Sequence, residues 1–280
     1  MSTRNLDKMM VPRSVVAIGA SVRAGSVGAA VTRNLLAGGF KGDIHLVNVK
    51  GGTIEGRPVL KSVAELREPA DLAVIMTPAE TVPRLIFELG ERGTKVAVVI
   101  TAGTGNGVTA REDNARWRKR ILRAARPYLL RVVGPNCIGY AVPRIGLNAS
   151  FGPGGLKAGR LAAVAQSGAV LAGLADWGAA QNIGFSHLIS MGDMTDVDFG
   201  DVLDMLARDY ETRASMSSTS PKSTSVMSPM EIRCEKPMFC AAPQSASPAS
   251  TAPDCATAAS RPALSPPGPK LALRPIRGTA

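Results

Sequence analysis

The residues with the plainest chemical meaning are Gly19-Ala20-Ser21-Val22-Arg23-Ala24-Gly25-Ser26-Val27-Gly28. They follow the apolar run Val15-Val16-Ala17-Ile18 and precede a helical stretch. Free N–H groups and the dipole at such a helix N-terminus attract a phosphate or pyrophosphate. Glycine lets the backbone turn tightly and come close to a ligand. A turn of this kind also serves with no ligand at all. The glycines at 19, 25 and 28 do not follow the GxGxxG spacing of a dinucleotide site. Such a site also places a carboxylate after the second strand, for the ribose hydroxyls. Here that strand ends His45-Leu46-Val47-Asn48-Val49-Lys50, with a cation instead of an acid. A lysine there suits a phosphorylated ribose, as in NADP or coenzyme A (CoA), or is simply solvated.

Two further turns could carry chemistry. Gly134-Pro135-Asn136-Cys137 follows an apolar run, and Gln166-Ser167-Gly168 ends another one ahead of a helix. The second could present N–H groups to a phosphate or carboxylate. Cys137 as a nucleophile would need a base or a cationic setting. The two histidines, His45 and His187, sit inside apolar runs and read as core or loop residues. Cys137 therefore reads as positional, and no catalytic residue is assigned. The cysteines are 137, 234, 240 and 255, with no CxxC pair, so no metal site or disulfide framework is expected.

These turns need a scaffold, and the chain supplies an α/β pattern. Strands are expected at Val15–Ile18, Ile44–Val47, Leu72–Ile75, Val96–Ile100 and Leu130–Val133. All are Val/Ile/Leu-rich and non-alternating, as strands buried on both faces are. Helices are expected at Gly28–Ala37, Ser62–Leu66, Thr81–Arg92 and Asn114–Ala125. This βα alternation predicts a Rossmann-like, doubly wound parallel sheet over residues 11–140, with its strand-to-helix loops on one edge. Residues 141–213 read as an incomplete flavodoxin-like α/β domain. A Gly/Pro-rich connection over Gly139–Gly159 leads into strands at Leu161–Ala165 and Phe185–Ser190 and helices at Ala169–Ala180 and Phe199–Arg208. Two strands are too few for a stable sheet, so Leu161–Leu206 should expose apolar surface. Residues 214–280 are rich in Ser, Pro and Ala, hold 11 of the 20 prolines, and read as disordered.

The formal net charge is +11 with a pI near 10. That balance raises nucleic acid or a membrane surface as partners. No aromatic–basic interleaving or finger spacing supports nucleic acid, and Arg116-Trp117-Arg118-Lys119-Arg120 reads as a solvated helix face. No stretch approaches the ~20 apolar residues of a membrane span, and no signal peptide opens the chain. A cytoplasmic protein without nucleic-acid or membrane partners is expected.

The first loop resembles that of NDP-forming acyl-CoA synthetases, the succinyl-CoA synthetase α subunits and related acyltransferase fusions. The resemblance continues through Asp71–Ala79, Val99–Gly103, Gly134–Gly139, Leu147–Phe151, Val164–Ala169, Gly184–Ser186, Ser190–Gly192 and Thr195–Asp198. It covers about Val11 to Arg213. It implies that CoA or acyl-CoA is held by Ser21, Arg23, Gly25, Ser26, Lys50, Met76, Thr77, Pro78, Thr101 and Ala102. It also places Asn136 and Cys137 near the thiol and lets Gln166, Ser167 and Gly168 shape a phosphohistidine site. The family shows a Pro where this chain has Val49 and a Phe where it has Thr104. The His-Thr-Gly or His-Ala-Gly motif and the ATP-grasp part of that family have no counterpart here. A truncation or frameshift after about Arg213 is therefore expected. The implied function is CoA binding by a catalytically incomplete synthetase fragment, with a separate ATP-grasp or synthetase chain as a possible partner. Two other readings stay open: an NADP-dependent oxidoreductase, and a non-catalytic CoA-responsive subunit.

Overall fold

The computed structural model describes residues 3–103, 108–209, 212 and 214–218. A short helix, α1 (Asp7–Met10), leads into β1 (Ser14–Ile18), α2 (Val27–Ala37) and β2 (Asp43–Val47). A hairpin of β3 (Thr53–Ile54) and β4 (Arg57–Leu60) follows, then β5 (Leu72–Ile75), α3 (Val82–Arg92), β6 (Val96–Val99), α4 (Val108–Ala125) and β7 (Arg131–Val133). These strands form one sheet in the order β3-β4-β2-β1-β5-β6-β7. It is parallel except for the β3/β4 pair.

Each expected strand of this domain is present, and the reason is visible in the burial. Val15 to Ala17 and Leu72 to Ile75 are all sealed from solvent, so neither face tolerates a polar residue. Helix α2 starts at an N-cap serine, Ser26, and buries Val31 and Leu35 one turn apart. Helix α3 has Pro83 in its first turn and ends at Gly93, whose φ of 101° stops it. It packs beside α4 on one face of the sheet, where Leu85, Ile86, Leu89, Trp117 and Ile121 share a core. The stretch Ser62–Leu66 holds only a 3-10 turn, Val63–Glu65, and α4 begins earlier than expected.

The second domain corrects the expectation of a two-stranded remnant. The Gly/Pro-rich stretch contains β8 (Gly139–Val142) and β9 (Leu147–Ser150), paired antiparallel around the turn Pro143–Ile145. They join β10 (Ala158–Ala165), β11 (Phe185–Ser190) and β12 (Ala214–Ser218) in a five-stranded sheet, ordered β12-β10-β11-β8-β9. Helices α5 (Gly168–Ala180) and α6 (Phe199–Ala207) complete it. Strand β12 lies beyond Arg213, where the composition predicts that a disordered tail begins. Its Ala-Ser-Met-Ser-Ser sequence has no apolar pattern, and parallel pairing with Leu161–Ala165 defines it. The rest of that tail, 219–280, lies outside the described residues.

The two domains share one core, in which α2, β8, β9, β10 and α6 all take part. Gly38 and Gly146 bring their backbones so close that a Cβ on either would strike the other's carbonyl oxygen. Buried Asn34 on α2 donates to the carbonyls of Ser150 (2.8 Å) and Gly152 (3.0 Å). Arg131 on β7 reaches Asp196 (2.9 Å) and Asp201 (2.7 Å) across the same boundary.

Candidate functional site

The site is built from loops at the carboxyl ends of the strands. In the first sheet the chain runs from β1 outward to β2 on one side and to β5 on the other. That reversal leaves a crevice beyond the end of β1, where ligands bind in doubly wound sheets. The glycine-rich loop fills this position. Gly19 and Gly25 have φ of 97° and 73°, a region closed to most side chains. Gly28 has an ordinary conformation, but a Cβ there would run into the carbonyl oxygen of Gly19. The loop also bonds to itself. Ser21 Oγ accepts from the Arg23 N–H (3.0 Å), and Ser26 Oγ accepts from Ala29 N–H (3.2 Å) while donating to the Arg23 carbonyl (2.7 Å).

Neighbouring loops are tied to this one. Asn48 Nδ2 donates to the Ala20 carbonyl (2.8 Å), and its Oδ1 accepts from the Lys50 N–H (3.0 Å). Lys50 thus sits in an Asx turn fastened to the phosphate loop, with its side chain exposed. Met76 N–H donates to the Ile18 carbonyl (2.9 Å). Thr101 Oγ1 donates to the Thr77 carbonyl (2.6 Å), and Asn136 N–H to the Thr101 carbonyl (3.1 Å). Pro78 accepts from the hydroxyl of Thr81 (2.7 Å), which also bonds Thr77 Oγ1. Ala102 continues the loop from Thr101 and is exposed. The residues expected on β1, β2, β5, β6 and β7 loops therefore share one sheet edge.

The second domain brings its own turn to this edge. Gln166 Nε2 donates to the Gly192 carbonyl (3.2 Å), and a Cβ on Gly192 would strike the Pro135 carbonyl oxygen. Asp193 N–H donates to the same Pro135 carbonyl (2.8 Å), and Asn136 Nδ2 donates to Asp193 Oδ1 (3.2 Å). Ser167 takes the extended N-cap conformation of α5, and Gly168 lies so close to Ile138 that no side chain fits. Gln166, Ser167 and Gly168 thus stand near the Gly134–Cys137 turn, more than twenty-five residues away in sequence.

Comparison with known proteins places this architecture. Residues 13–143 match the model of a CoA binding domain, and residues 158–218 that of a succinyl-CoA ligase like flavodoxin domain. The alpha subunit of acetate–CoA ligase [ADP-forming] I from Pyrococcus furiosus is 39% identical over 214 residues, which is 75% of this chain and 46% of that subunit. The chain belongs to this CoA-binding, succinyl-CoA ligase-like family. A 4-hydroxybutyrate–CoA ligase [ADP-forming] from Nitrosopumilus maritimus is 34% identical over 73% of this chain and 29% of its own length. The solved dinucleotide forming acetyl-coenzyme A synthetase 1 of Ca. Korarchaeum cryptofilum superposes with a TM-score of 0.71 at 33% identity, covering 78% of this chain and 46% of that one. The chain thus spans less than half the length of these relatives.

A cleft of about 530 Å³ opens beside the glycine-rich loop, where the CoA-binding domain meets the segment after β9. Ser21, Gly25 and Ser26 line it, together with Arg33, Ile54, Glu55 and Phe151. Lys50, Met76, Thr77, Pro78, Thr101 and Ala102 lie outside this lining, along the sheet edge. Arg23, exposed, stands in the loop between Val22 and Ala24, which do line it. The last four lining residues are not among the site residues expected from sequence, although Phe151 closes the Leu147–Phe151 motif. Ile54 and Glu55 arrive on the β3–β4 hairpin, whose turn residues Glu55 and Gly56 both have positive φ (49° and 74°). A Glu-Gly pair between Thr53-Ile54 and Arg57-Pro58-Val59 is the available signal, and it is weaker than Asn-Gly or Asp-Gly.

Two side chains are withdrawn from solution chemistry. Cys137 is 4% exposed and its Sγ faces the Val99 carbonyl at 3.3 Å. Burial pushes its thiol up to about 12. Its side chain is therefore a packing element, and only its backbone can face a ligand. In a variant with Cys234, Cys240 and Cys255 changed to Ser, Cys137 is expected to resist iodoacetamide at pH 8 until denaturant is added. Mass spectrometry reads this directly, and rapid native labelling would place the thiol at the surface. His187 is fully buried in β11, and burial with the nearby Arg144 lowers its pKa to about 4.

Proposed function

We propose that this chain binds CoA or acyl-CoA along the carboxyl edge of its first sheet, as the CoA-binding part of an NDP-forming acyl-CoA ligase. The observation that carries this reading is the self-bonded loop Gly19–Gly28 at the crevice of a doubly wound sheet, with Lys50 fastened beside it through Asn48. Backbone N–H groups at the start of α2 would take the pyrophosphate. Arg23 through its guanidinium fork and Lys50 as a point charge would take the ribose 3′-phosphate. Lys50 where a dinucleotide site has a carboxylate supports CoA over NAD. Phosphoryl transfer and nucleotide binding would fall to a separate synthetase or ATP-grasp chain, and this chain alone would make no acyl-CoA. A cytoplasmic setting suits this role.

Calorimetry tests the reading. CoA is expected to bind more tightly than dephospho-CoA, NADP or NAD. A charge-assisted hydrogen bond contributes roughly 1.5–3 kcal/mol, so Lys50→Ala should weaken CoA by about 10- to 150-fold. Equal affinity for CoA and dephospho-CoA would remove Lys50 from the site. Tighter binding of NADP would favour an oxidoreductase instead.

A further inference from the structure

The basic run Arg116–Arg120 reads in sequence as a solvated helix face, and one cation in it departs from that. Arg116, Lys119 and Arg120 are exposed. Arg118 is half-buried, and its Nη1 reaches from α4 to Asp193 Oδ2 in the loop after β11, at 3.1 Å. The other oxygen of Asp193 accepts from Asn136 Nδ2 at 3.2 Å. Backbone bonds fasten the same loop to the end of β7. The N–H groups of Asp193, Thr195 and Val197 donate to the carbonyls of Pro135 (2.8 Å), Gly134 (3.0 Å) and Val132 (3.2 Å). Asp193 therefore stands where α4, the turn after β7 and the second domain meet.

What Asp193 fixes is the direction of an amide. An asparagine can turn either its oxygen or its nitrogen to a neighbour, because the two ends are alike in shape. A carboxylate offers only acceptors, so it takes the NH2 and refuses the oxygen. Asn136 is exposed, with φ of 60°, and its backbone N–H is engaged by the Thr101 carbonyl (3.1 Å). Its Oδ1, turned away from Asp193, accepts from no described residue. Arg118 pairs with the second oxygen of Asp193 and keeps the carboxylate from swinging out to solvent. The turn after β7 thus presents an oriented acceptor at the sheet edge.

Distance along the sheet tells which part of a ligand meets that acceptor. The phosphate loop follows β1, and Lys50 follows β2, the neighbour on one side. With the pyrophosphate at β1 and the phosphorylated ribose at Lys50, the pantetheine arm of CoA runs the other way, past β5 and β6. Asn136 follows β7, three strands from β1. At about 4.8 Å for each step, that is about 14 Å. The arm has about as many bonds as four extended residues and spans about 14 Å as well. Its amide N–H groups are hydrogen-bond donors, which suits an oxygen and not an NH2.

We propose that Asp193, steadied by Arg118, is a positioning residue that turns Asn136 Oδ1 toward the pantetheine arm of CoA, where it accepts from an amide N–H. The second domain and α4 thereby help to set the far end of a ligand whose phosphates the first domain holds. This inference rests on the ligase reading above and deepens it.

Calorimetry on the full chain with two ligands tests this. One is CoA, and the other is adenosine 3′-phosphate 5′-diphosphate, which is CoA without its arm. The ratio of their affinities measures the arm alone. From the net worth of one hydrogen bond, Asp193→Ala should lower that ratio by about 3- to 10-fold, with the shorter ligand binding as before. Asn136→Ala should lower it by the same factor. Adding Asp193→Ala to Asn136→Ala should cost nothing further, because one residue acts through the other. In the double variant Arg118→Met with Asp193→Asn, no cation claims the oxygen at 193. That oxygen should then serve Asn136 and restore the ratio. If Asp193→Ala fails to fold by circular dichroism, Asn136→Ala and this double variant decide the matter. Equal losses for both ligands would make Asp193 a brace of the fold and overturn the proposal. An unchanged ratio or additive losses would overturn it too, while the ligase reading stands. A parent chain that binds neither ligand would instead overturn the ligase reading, and this inference with it.

Discussion

Replacing Arg131 by Ala is expected to lower the stability of the folded chain by about 3–5 kcal/mol, the cost of leaving a buried charge without its partner. Arg131 on β7 and Asp201 on α6 each keep 6% of their side-chain surface, and their atoms meet at 2.7 Å. The Arg131 Nε also meets Asp196 at 2.9 Å, and the same carboxylate oxygen accepts the Val132 N–H at 2.9 Å. Burial works against the charge on Arg131, but its bonds to Asp196 and Asp201 outweigh that and raise its pKa. The three residues connect the first sheet to the second domain, so the loss should appear in one cooperative urea transition covering both. The net worth of the pair is much smaller than the cost of breaking it. Combining Arg131→Met with Asp201→Asn should therefore recover part of the loss. A single Arg131→Ala variant within about 1 kcal/mol of the parent would mean that water reaches Asp201 and the site is not sealed.

In the sequence, Asp196 and Asp201 read only as part of a motif and a helix, because their partner lies sixty-five and seventy residues away. The same limit runs through the fold. Strands β1, β5 and β6 are legible because burial on both faces forces an unbroken Val/Ile/Leu run. Strands β8 and β9 are not, because Gly139 and Gly146 at positive φ and Pro143 between them imitate a loop. Strand β12 has no pattern of its own and exists by pairing with β10. At the site, glycine spacing announces the phosphate loop, because only glycine fits at 19 and 28 for reasons local to that loop. Phe151 and Glu55 reach the same cleft from other elements; Phe151 reads in sequence only as the end of a matching motif, and nothing beside Glu55 places it there. Asn48 reads as no more than part of a strand end. Its amide is what holds Lys50 to the loop.

His187 should make the chain acid-sensitive in a defined window. The imidazole is fully buried in β11, with Nδ1 3.8 Å from Asp209 Oδ2 and neither nitrogen hydrogen-bonded among the described residues. Arg144 bonds to the other oxygen of Asp209 at 3.1 Å, so the carboxylate is shared. Burial and the Arg144 charge hold the folded pKa near 4, and Asp209 opposes them only in part. In the unfolded chain the imidazole takes up its proton near pH 6.5. Between those values the unfolded state binds a proton that the folded state refuses, so stability falls as pH drops from about 6.5 to about 4. At 1.36 kcal/mol for each pH unit, the loss reaches about 3 kcal/mol and then levels off below the folded pKa. Carboxylates titrate in the lower part of this range as well, so the informative quantity is a difference. The gap in unfolding free energy between the parent and His187→Gln should change by about 3 kcal/mol from pH 7 to pH 4. With only two histidines in the chain, proton NMR can follow each imidazole separately. A His187 resonance that titrates near 6.5 in the folded protein would show that water or a counter-charge reaches the ring, and the acid window would then have to come from the carboxylates alone.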